Sequence, residues 1–467
     1  MDLPASATWL ATKQSDLMNP IRLTHLHFKG RADDHPVAWR SGRVITWQEH
    51  HRLVATLSRQ LMLHSERRWL LTCEDPLDFV AGLFAVWHAG KTAVIPPSLR
   101  PGTIESLSQF ADAKLDVSMI ESARGCDEHS SAPLSPLDAA NTLVHLYTSG
   151  STGAPKKIQK NLAQLDNEVM VLEQVWGRRA TTTLSTVPHH HIYGLLFRLL
   201  WPLAGGRMFD TETHSTPEQL LAGLDKLGTG IVISSPSQLA RMPALIDLRL
   251  LRGKVTMLFS SGGPLPAAAA AQFQVALGEA PLEIYGSTET GGIAWRQQHN
   301  DDDAWTLQPG VSIHLTPEGT LTLTSPFLPD AAPMQTGDAA QWLEDGRFRL
   351  LGRTDRIVKI EEKRLSLPEM EAHLNEHPWV NESAVLELKG RRQSVGAVLV
   401  LNELGRANLN SKGRLEVAQV FRKHLAHWYD AVLLPRHWRY PEALPYNERG
   451  KLTQDALNPL FLEQNNV

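Results

Sequence analysis

The sequence predicts an α/β protein with a doubly wound N-terminal part, antiparallel strands from about Trp305 and a small C-terminal domain that starts at residues 353–355. Three observations carry this expectation. Apolar helical segments are followed by short apolar strands in the N-terminal part. Several of those strands run directly into loops of small residues. From about Trp305 the pattern changes to strict alternation with hairpin signals, and after Arg353 to a charged stretch that leads into a helix.

Residues 78–89 are apolar and helix-like, Gly90 supplies a stop, and Thr92–Ile95 follows as a buried strand closed by Pro96 and Pro97. A helix feeding a strand in this way is the unit of a doubly wound sheet. Leu143, Val144, Leu146 and Tyr147 form the next apolar run, which ends in a Ser/Thr/Gly loop at residues 148–153. Asn161 is placed to cap a helix whose Leu162, Leu165, Val169, Leu172 and Trp176 share one face. Residues 255–259 and 282–285 repeat the strand-then-loop arrangement, running into residues 260–263 and 286–287. Such loops, at the carboxyl ends of parallel strands, are where open α/β sheets hold ligands. Leu321 and Leu323 alternate with Thr320, Thr322 and Thr324, and Asp345-Gly346 marks a hairpin. Ser366-x-x-Glu369, with Pro368 in the first turn, predicts a capping box opening a helix through Met370 and Leu374.

Composition bounds the function. At about 150 residues per domain, 467 residues are ample for more than one large core. Lys+Arg 46 against Asp+Glu 50 gives a net charge of −4, which argues against a polyanion-wrapping surface and so against a nucleic-acid partner. Hydrophobic content of 42% and charged content of 21% are those of an ordinary globular enzyme. Cys73 and Cys126 stand far apart, so neither a disulfide framework nor a thiolate metal site is expected. No secretion signal is legible at the N-terminus, and the most apolar windows, residues 79–87 and 192–203, fall short of the ~18 residues of a membrane helix. A cytoplasmic protein without a membrane span is the expectation.

The segment Tyr147-Thr-Ser-Gly-Ser-Thr-Gly-Ala-Pro-Lys156 concentrates hydroxyls, glycines and a lysine just after a strand. Backbone N–H groups and hydroxyls can wrap phosphate oxygens where glycine removes the Cβ, and the lysine adds charge. It is not a Walker loop, since Lys156 follows proline; by composition alone a Ser/Gly surface loop fits equally well. The run His189-His190-His191 admits a metal tract, but consecutive residues point in different directions. One functional ring, His191, with the other two packed or solvated, is the preferred reading. Taken singly, Glu289 at a helix N-terminus, Asp338 in a turn and Arg353 as a solvated strand-end charge all have structural readings.

Together these segments resemble the adenylate-forming superfamily of acyl-CoA synthetases, peptide-synthetase adenylation domains and luciferases. The loop above is similar to its nucleotide loop, and Pro188-His-His-His191-Ile-Tyr-Gly194 to its acyl-site motif. Tyr285-Gly-Ser-Thr-Glu289-Thr-Gly-Gly292 resembles its central motif, Thr336-Gly-Asp338 its ribose motif, Gly352-Arg353-Thr-Asp355 its hinge and Gly450-Lys451 its C-terminal lysine motif. Six segments in the family's order are specific where any one alone is weak.

The resemblance implies a large α/β adenylate-forming domain over residues 1–352, of parallel sheets with helices plus a small β part, and a small mobile α+β domain over residues 353–467. It further implies ATP-dependent activation of a carboxylic acid, aryl or fatty acyl, as an acyl-adenylate, then transfer to a pantetheine thiol of CoA or of an acyl carrier protein supplied in trans. Thr148, Ser149, Gly150, Ser151, Thr152, Gly153 and Lys156 would hold the β- and γ-phosphates. Gly263, Tyr285, Gly286, Asp338 and Arg353 would complete the ATP site, with Asp338 accepting from the ribose hydroxyls. Thr288 would meet the α-phosphate, Glu289 would hold Mg²⁺, Lys451 would bridge carboxylate, phosphate and ribose, and Asp355 would be the hinge. The acyl pocket would draw on His191, Ser234, Ser235, Ser261, Gly262, Gly286 and Thr290.

Two residues depart from the family pattern. Lys157 stands where glycine is usual, a tolerable second cation near phosphates. Glu362 stands where a glycine usually lets the pantetheine arm pass, and an anionic side chain there disfavours CoA unless it turns outward to pair with Lys363 or Arg364. The alternatives are therefore an enzyme that passes its adenylate to another nucleophile, and a non-catalytic nucleotide- or acyl-binding relative.

Overall fold

The computed structural model describes residues 20–126, 134–149, 155–177, 182–299, 302–353, 356–360, 363–388, 394–446 and 452–462. The predicted helix and strand are both present. Asp75 caps helix α1 (Pro76–His88), its carboxylate accepting from Leu77 N and Asp78 N, and strand β1 (Thr92–Ile95) follows. Residues 76–87 of α1 are all buried. An apolar helix buried on every side is what the unbroken apolar run demands, and sealing Phe79 and Phe84 completely contributes roughly 1.5–3 kcal/mol each.

Strand β2 (Leu143–Ser149) runs parallel to β1 and turns back antiparallel into β3 (Pro155–Asn161). These strands close one side of a five-stranded sheet whose remaining strands are Arg68–Leu71 and Ala113–Leu115. Helix α2 (Leu162–Trp176) starts where expected, with Asn161 and Gln164 forming a reciprocal capping box. A nine-stranded sheet holds β4 (Gly230–Ser234), β5 (Val255–Ser261) and β6 (Leu282–Ser287) side by side in parallel. Strand β7 (Gly291–Gln297) pairs antiparallel with β6.

Three strands run further than their apolar residues. Ser260, Ser261, Gly286, Ser287, Thr148 and Ser149, expected in loops, are the last strand residues, because neighbouring backbones go on pairing after the hydrophobic pattern has ended. One expected helix cap is only half made. Ser366 caps the helix Leu367–Asn375 by accepting from Glu369 N.

By packing, the chain divides into two compact units, Met1–Ser312 with Thr324–Ala332, and Ile313–Leu323 with Pro333–Val467. This division falls earlier than the boundary expected at residue 353. The antiparallel pair β8 (Met334–Trp342) and β9 (Phe348–Arg353) belongs to one four-stranded sheet with Thr320–Thr324, and a sheet packs as one body. The expected hairpin turn is present, with Gly346 at φ 81°. No helix among the described residues is long and apolar enough to cross a membrane.

Candidate active site

In the first unit the strand ends bring together Lys156, expected at the phosphates, and Glu289, expected at Mg²⁺. The β2–β3 hairpin sets Thr148 opposite Lys156, and the β6–β7 turn carries Thr288 and Glu289. Lys156 Nζ donates to Glu289 Oε1 at 2.7 Å, a pair with the lysine largely exposed and the carboxylate less so. Burial works against ionisation of Glu289, but the hydrogen bonds from Lys156 and Ser287 and the lysine's charge outweigh it, so the carboxyl is held below its ordinary range.

The turn is locked from within. Ser287 N donates to Thr290 Oγ1 at 2.9 Å, Thr290 N to Ser287 Oγ at 3.2 Å, and Thr290 Oγ1 to Gly291 O at 2.8 Å. The Thr290 hydroxyl, expected in the acyl pocket, is thus engaged in the turn. Gly286 is required, because a Cβ there would collide with the Gly291 carbonyl. Glu289 sits between antiparallel strands and not at a helix N-terminus, which removes that structural reading.

Of the other expected pocket residues, Ser261 Oγ donates to Ile284 O at 2.9 Å, while Gly262 and Gly263 are exposed beyond it, Gly262 at φ 96°. Ser234 is fully buried and shares a 2.9 Å hydrogen bond with Thr186 Oγ1; Ser235 precedes a helix at Pro236–Leu245 and bonds Ser237 Oγ. Tyr285 is half-buried, its ring 5.6 Å from that of Trp305.

The histidine run divides as expected. His189 and His190 are buried, their rings 4.0 Å apart, and His189 lies 4.4 Å from Phe79. Desolvation pushes both below the ordinary histidine value, His190 to about 4, so they pack as neutral rings. His191 is less buried and precedes the helical turn Ile192–Gly194 with extended backbone. Arg198, which the sequence reading left without a role, is fully buried behind this motif. It donates to Val187 O, Thr213 Oγ1, Thr211 O and Glu212 O at 2.7–3.1 Å and ties the motif to a neighbouring strand.

In the second unit Asp338 and Arg353 are direct cross-strand partners on β8 and β9, an arrangement that favours opposite charges. Asp338 N donates to Thr336 Oγ1 at 3.1 Å. Gly150, Ser151, Thr152, Gly153, Asp355, Glu362 and Lys451 lie outside the described residues, and of Thr148 and Ser149 the backbone alone is described.

The sequence reading also missed Lys160, Gln164 and Glu168. Lys160 is 1% exposed and donates to the carbonyls of Glu289 and Phe327, both at 3.1 Å. Gln164 Nε2 donates to the same Phe327 carbonyl at 2.8 Å, and Glu168 Oε1 accepts from Gly292 N at 2.7 Å. A signal was available, since Lys156, Ile158 and Lys160 fall on one face of a strand and Ile158 is apolar.

A lysine-paired carboxylate on a glycine-lined turn, at the carboxyl ends of parallel strands, places the chain among the nucleotide-handling α/β enzymes. It belongs to the AMP-binding enzyme family, whose profile matches residues 27–317, and so to the adenylate-forming superfamily that its motifs resemble. It is 30% identical over 311 residues to a 4-coumarate–CoA ligase of Cereibacter sphaeroides, covering 65% of this chain and 69% of that one. It is 24% identical over 417 residues to enterobactin synthase component F of Escherichia coli O157:H7, covering 77% of this chain but 31% of the synthase. The fold is that of ATP-bound MatB from Rhodopseudomonas palustris, with a TM-score of 0.78 at 21% identity over 95% of this chain and 99% of that one.

Proposed function

We propose that this chain activates a carboxylic acid with ATP and passes the acyl group to a pantetheine thiol. The observation that carries the reading is the Lys156–Glu289 pair, which joins strand β3 to the β6–β7 turn. A surface pair of this kind costs only about 0–1 kcal/mol to separate. Lys156 can therefore turn to a phosphate oxygen and Glu289 to a cation at little expense.

In the first step a carboxylate oxygen attacks the α-phosphorus, the bond to the pyrophosphate oxygen breaks, and an acyl-adenylate forms. The chain has to neutralise charge on the phosphates and keep attacking and leaving oxygens in line. Lys156, with Thr148, Ser149 and residues 150–153, is assigned to the β- and γ-phosphates and Thr288 to the α-phosphate. Asp338 and Arg353 are assigned to the ribose, His191 to the mouth of the acyl pocket and Lys451 to the reacting centre. Among the described residues no group of three or more His, Cys, Asp or Glu could hold a metal. The donor set fits a hard cation that takes one oxygen from Glu289 and the rest from phosphate and water. Mg²⁺ bound there would offset phosphate charge. In the second step the pantetheine sulfur attacks the acyl carbon and AMP leaves.

The acid is proposed to be aryl or fatty acyl. A carrier protein is proposed ahead of CoA as acceptor, because Glu361-Glu362 would repel the more highly charged CoA. The reading is supported by the family and by the relatives named above. The test is carboxylate-dependent pyrophosphate exchange over a panel of aromatic, fatty and amino acids with Mg²⁺. Exchange that depends on one class of acid is expected; none with any acid overturns the reading.

A further inference from the structure

Lys160 and Glu168 are buried ionisable residues that bond the backbone at the Glu289 carbonyl and the Gly292 amide. Lys160 ends the face of β3 that Lys156 begins, and its ammonium is held by the carbonyls of Glu289 and Phe327. Glu168 lies one helical turn beyond Gln164 on α2, 4% exposed. Its Oε1 accepts from Gly292 N, and its Oε2 has no hydrogen-bond partner among the described residues. Burial pushes the Lys160 ammonium below its ordinary range and the Glu168 carboxyl above its own, and their mutual attraction offsets this in part.

Such groups are costly to bury unless each is paired and bonded, and here both are directed at one short stretch of chain, residues 289–292. The glycines of that stretch fit the arrangement. A Cβ on Gly291, at φ 70°, would stand 2.7 Å from Glu168 Oε2, and one on Gly292 would stand 3.2 Å from Oε1. The carboxylate of α2 can reach this backbone only because neither residue has a side chain.

We propose that Lys160 and Glu168 are positioning residues, a charged clamp that fixes the backbone from the Glu289 carbonyl to the Gly292 amide so that the Glu289 carboxylate and the neighbouring Thr288 meet the nucleotide phosphates in register. Neither touches substrate; Lys160 acts through the Glu289 carbonyl and Glu168 through the Gly292 amide. The proposal rests on the activity proposed above. It adds that a second lysine of the nucleotide-loop strand serves the turn from beneath instead of the phosphates from above.

The test uses the full chain with Lys160→Met, which keeps the stem and removes the charge, and Glu168→Gln, which keeps an acceptor for Gly292 N and removes the charge. Two quantities are read: hydrogen exchange of the peptide spanning residues 286–293, and kcat and KM in pyrophosphate exchange. Lys160→Met is expected to speed exchange in that peptide roughly tenfold while strands β4 and β5 keep their protection. It should also lower kcat roughly 30-fold with little change in KM for the acid. Glu168→Gln should move both readouts in the same direction by less. A folded Lys160→Met protein with wild-type exchange in this peptide, or with wild-type kcat, overturns the clamp. Should Lys160→Met fail to fold, Glu168→Gln decides by the same two readouts. If the wild type activates no acid, the activity reading falls, and unchanged exchange in residues 286–293 still overturns the clamp by itself.

Discussion

Glu289 shows how one residue's state is set by opposing effects of similar size. Burial favours the neutral acid, while Lys156 and the Ser287 hydrogen bond favour the anion and win. Glu289→Gln keeps the shape and removes the charge. It is expected to lower kcat/KM for adenylation roughly 100-fold at low Mg²⁺ and to recover in part as Mg²⁺ is raised. A magnesium titration of wild type and variant side by side checks this, and an unchanged Mg²⁺ dependence would assign the cation to a different residue. Glu289 was legible in the sequence because its neighbours form a motif. Lys160 was not, since a lone lysine on a strand ordinarily reads as a solvated charge, and only the register with Ile158 and the carbonyls of Glu289 and Phe327 reveal that it points inward. Arg198 escaped for a similar reason, since its partners are backbone carbonyls and one hydroxyl, at residue 187 and at residues 211–213, which carry no charge signal in the sequence.

Elements were read best where local chemistry ends them. Helix α2 has the expected start because Asn161 and Gln164 bond each other's backbone N–H. Strand ends were read short, because Ser260, Ser261, Gly286 and Ser287 pair through backbone atoms that carry no side-chain signal. What packs between elements was not legible at all. His27 from the short helix Leu26–Lys29, His50 and His51 from the helix Trp47–Met62, and His88 at the end of α1 meet beside Trp47 and Phe84. His27 and His50 share a 3.2 Å hydrogen bond between their Nε2 atoms. Desolvation, reinforced by the neighbouring histidines, pushes His27 well down, His50 to about 3 and His88 to about 4. His27, His50 and His88 are neutral in the folded chain and take up protons on unfolding once the pH falls below the ordinary value near 6.5. Stability present above that pH is therefore lost progressively between about 6.5 and 4. His88→Phe removes one such group whose Nε2 makes no hydrogen bond. The variant is expected to match wild type in urea unfolding at pH 7.5 and to lose about 1–2 kcal/mol less on going to pH 5. Identical losses in the two proteins would show that the cluster does not govern acid sensitivity.

For the whole molecule, the two half-reactions proposed above would place different demands on the chain, and that difference separates the proposed roles of residues in its C-terminal part. Negative charge builds at the α-phosphate while the carboxylate attacks, so a cation at that centre lowers the first barrier. When the thiol later attacks the acyl carbon, AMP leaves with a phosphate already formed, and that cation has little left to stabilise. Lys451→Ala is accordingly expected to lower acid-dependent pyrophosphate exchange by roughly a hundredfold or more, while thioester formation from a supplied acyl-adenylate stays within a few-fold of wild type. The converse variant is Asp355→Pro. If the chain rotates at Asp355 between the two steps, exchanging Lys451 for the face that carries Lys359, then fixing φ near about −65° should leave pyrophosphate exchange nearly intact and impair thioester formation. The two variants measured in both assays form a crossed pair. Loss of both half-reactions in Lys451→Ala would make that lysine a general requirement of the fold, and survival of both in Asp355→Pro would move the rotation to another residue. Only opposite losses support two working arrangements of one chain, with Lys451 serving the first and Asp355 the passage to the second.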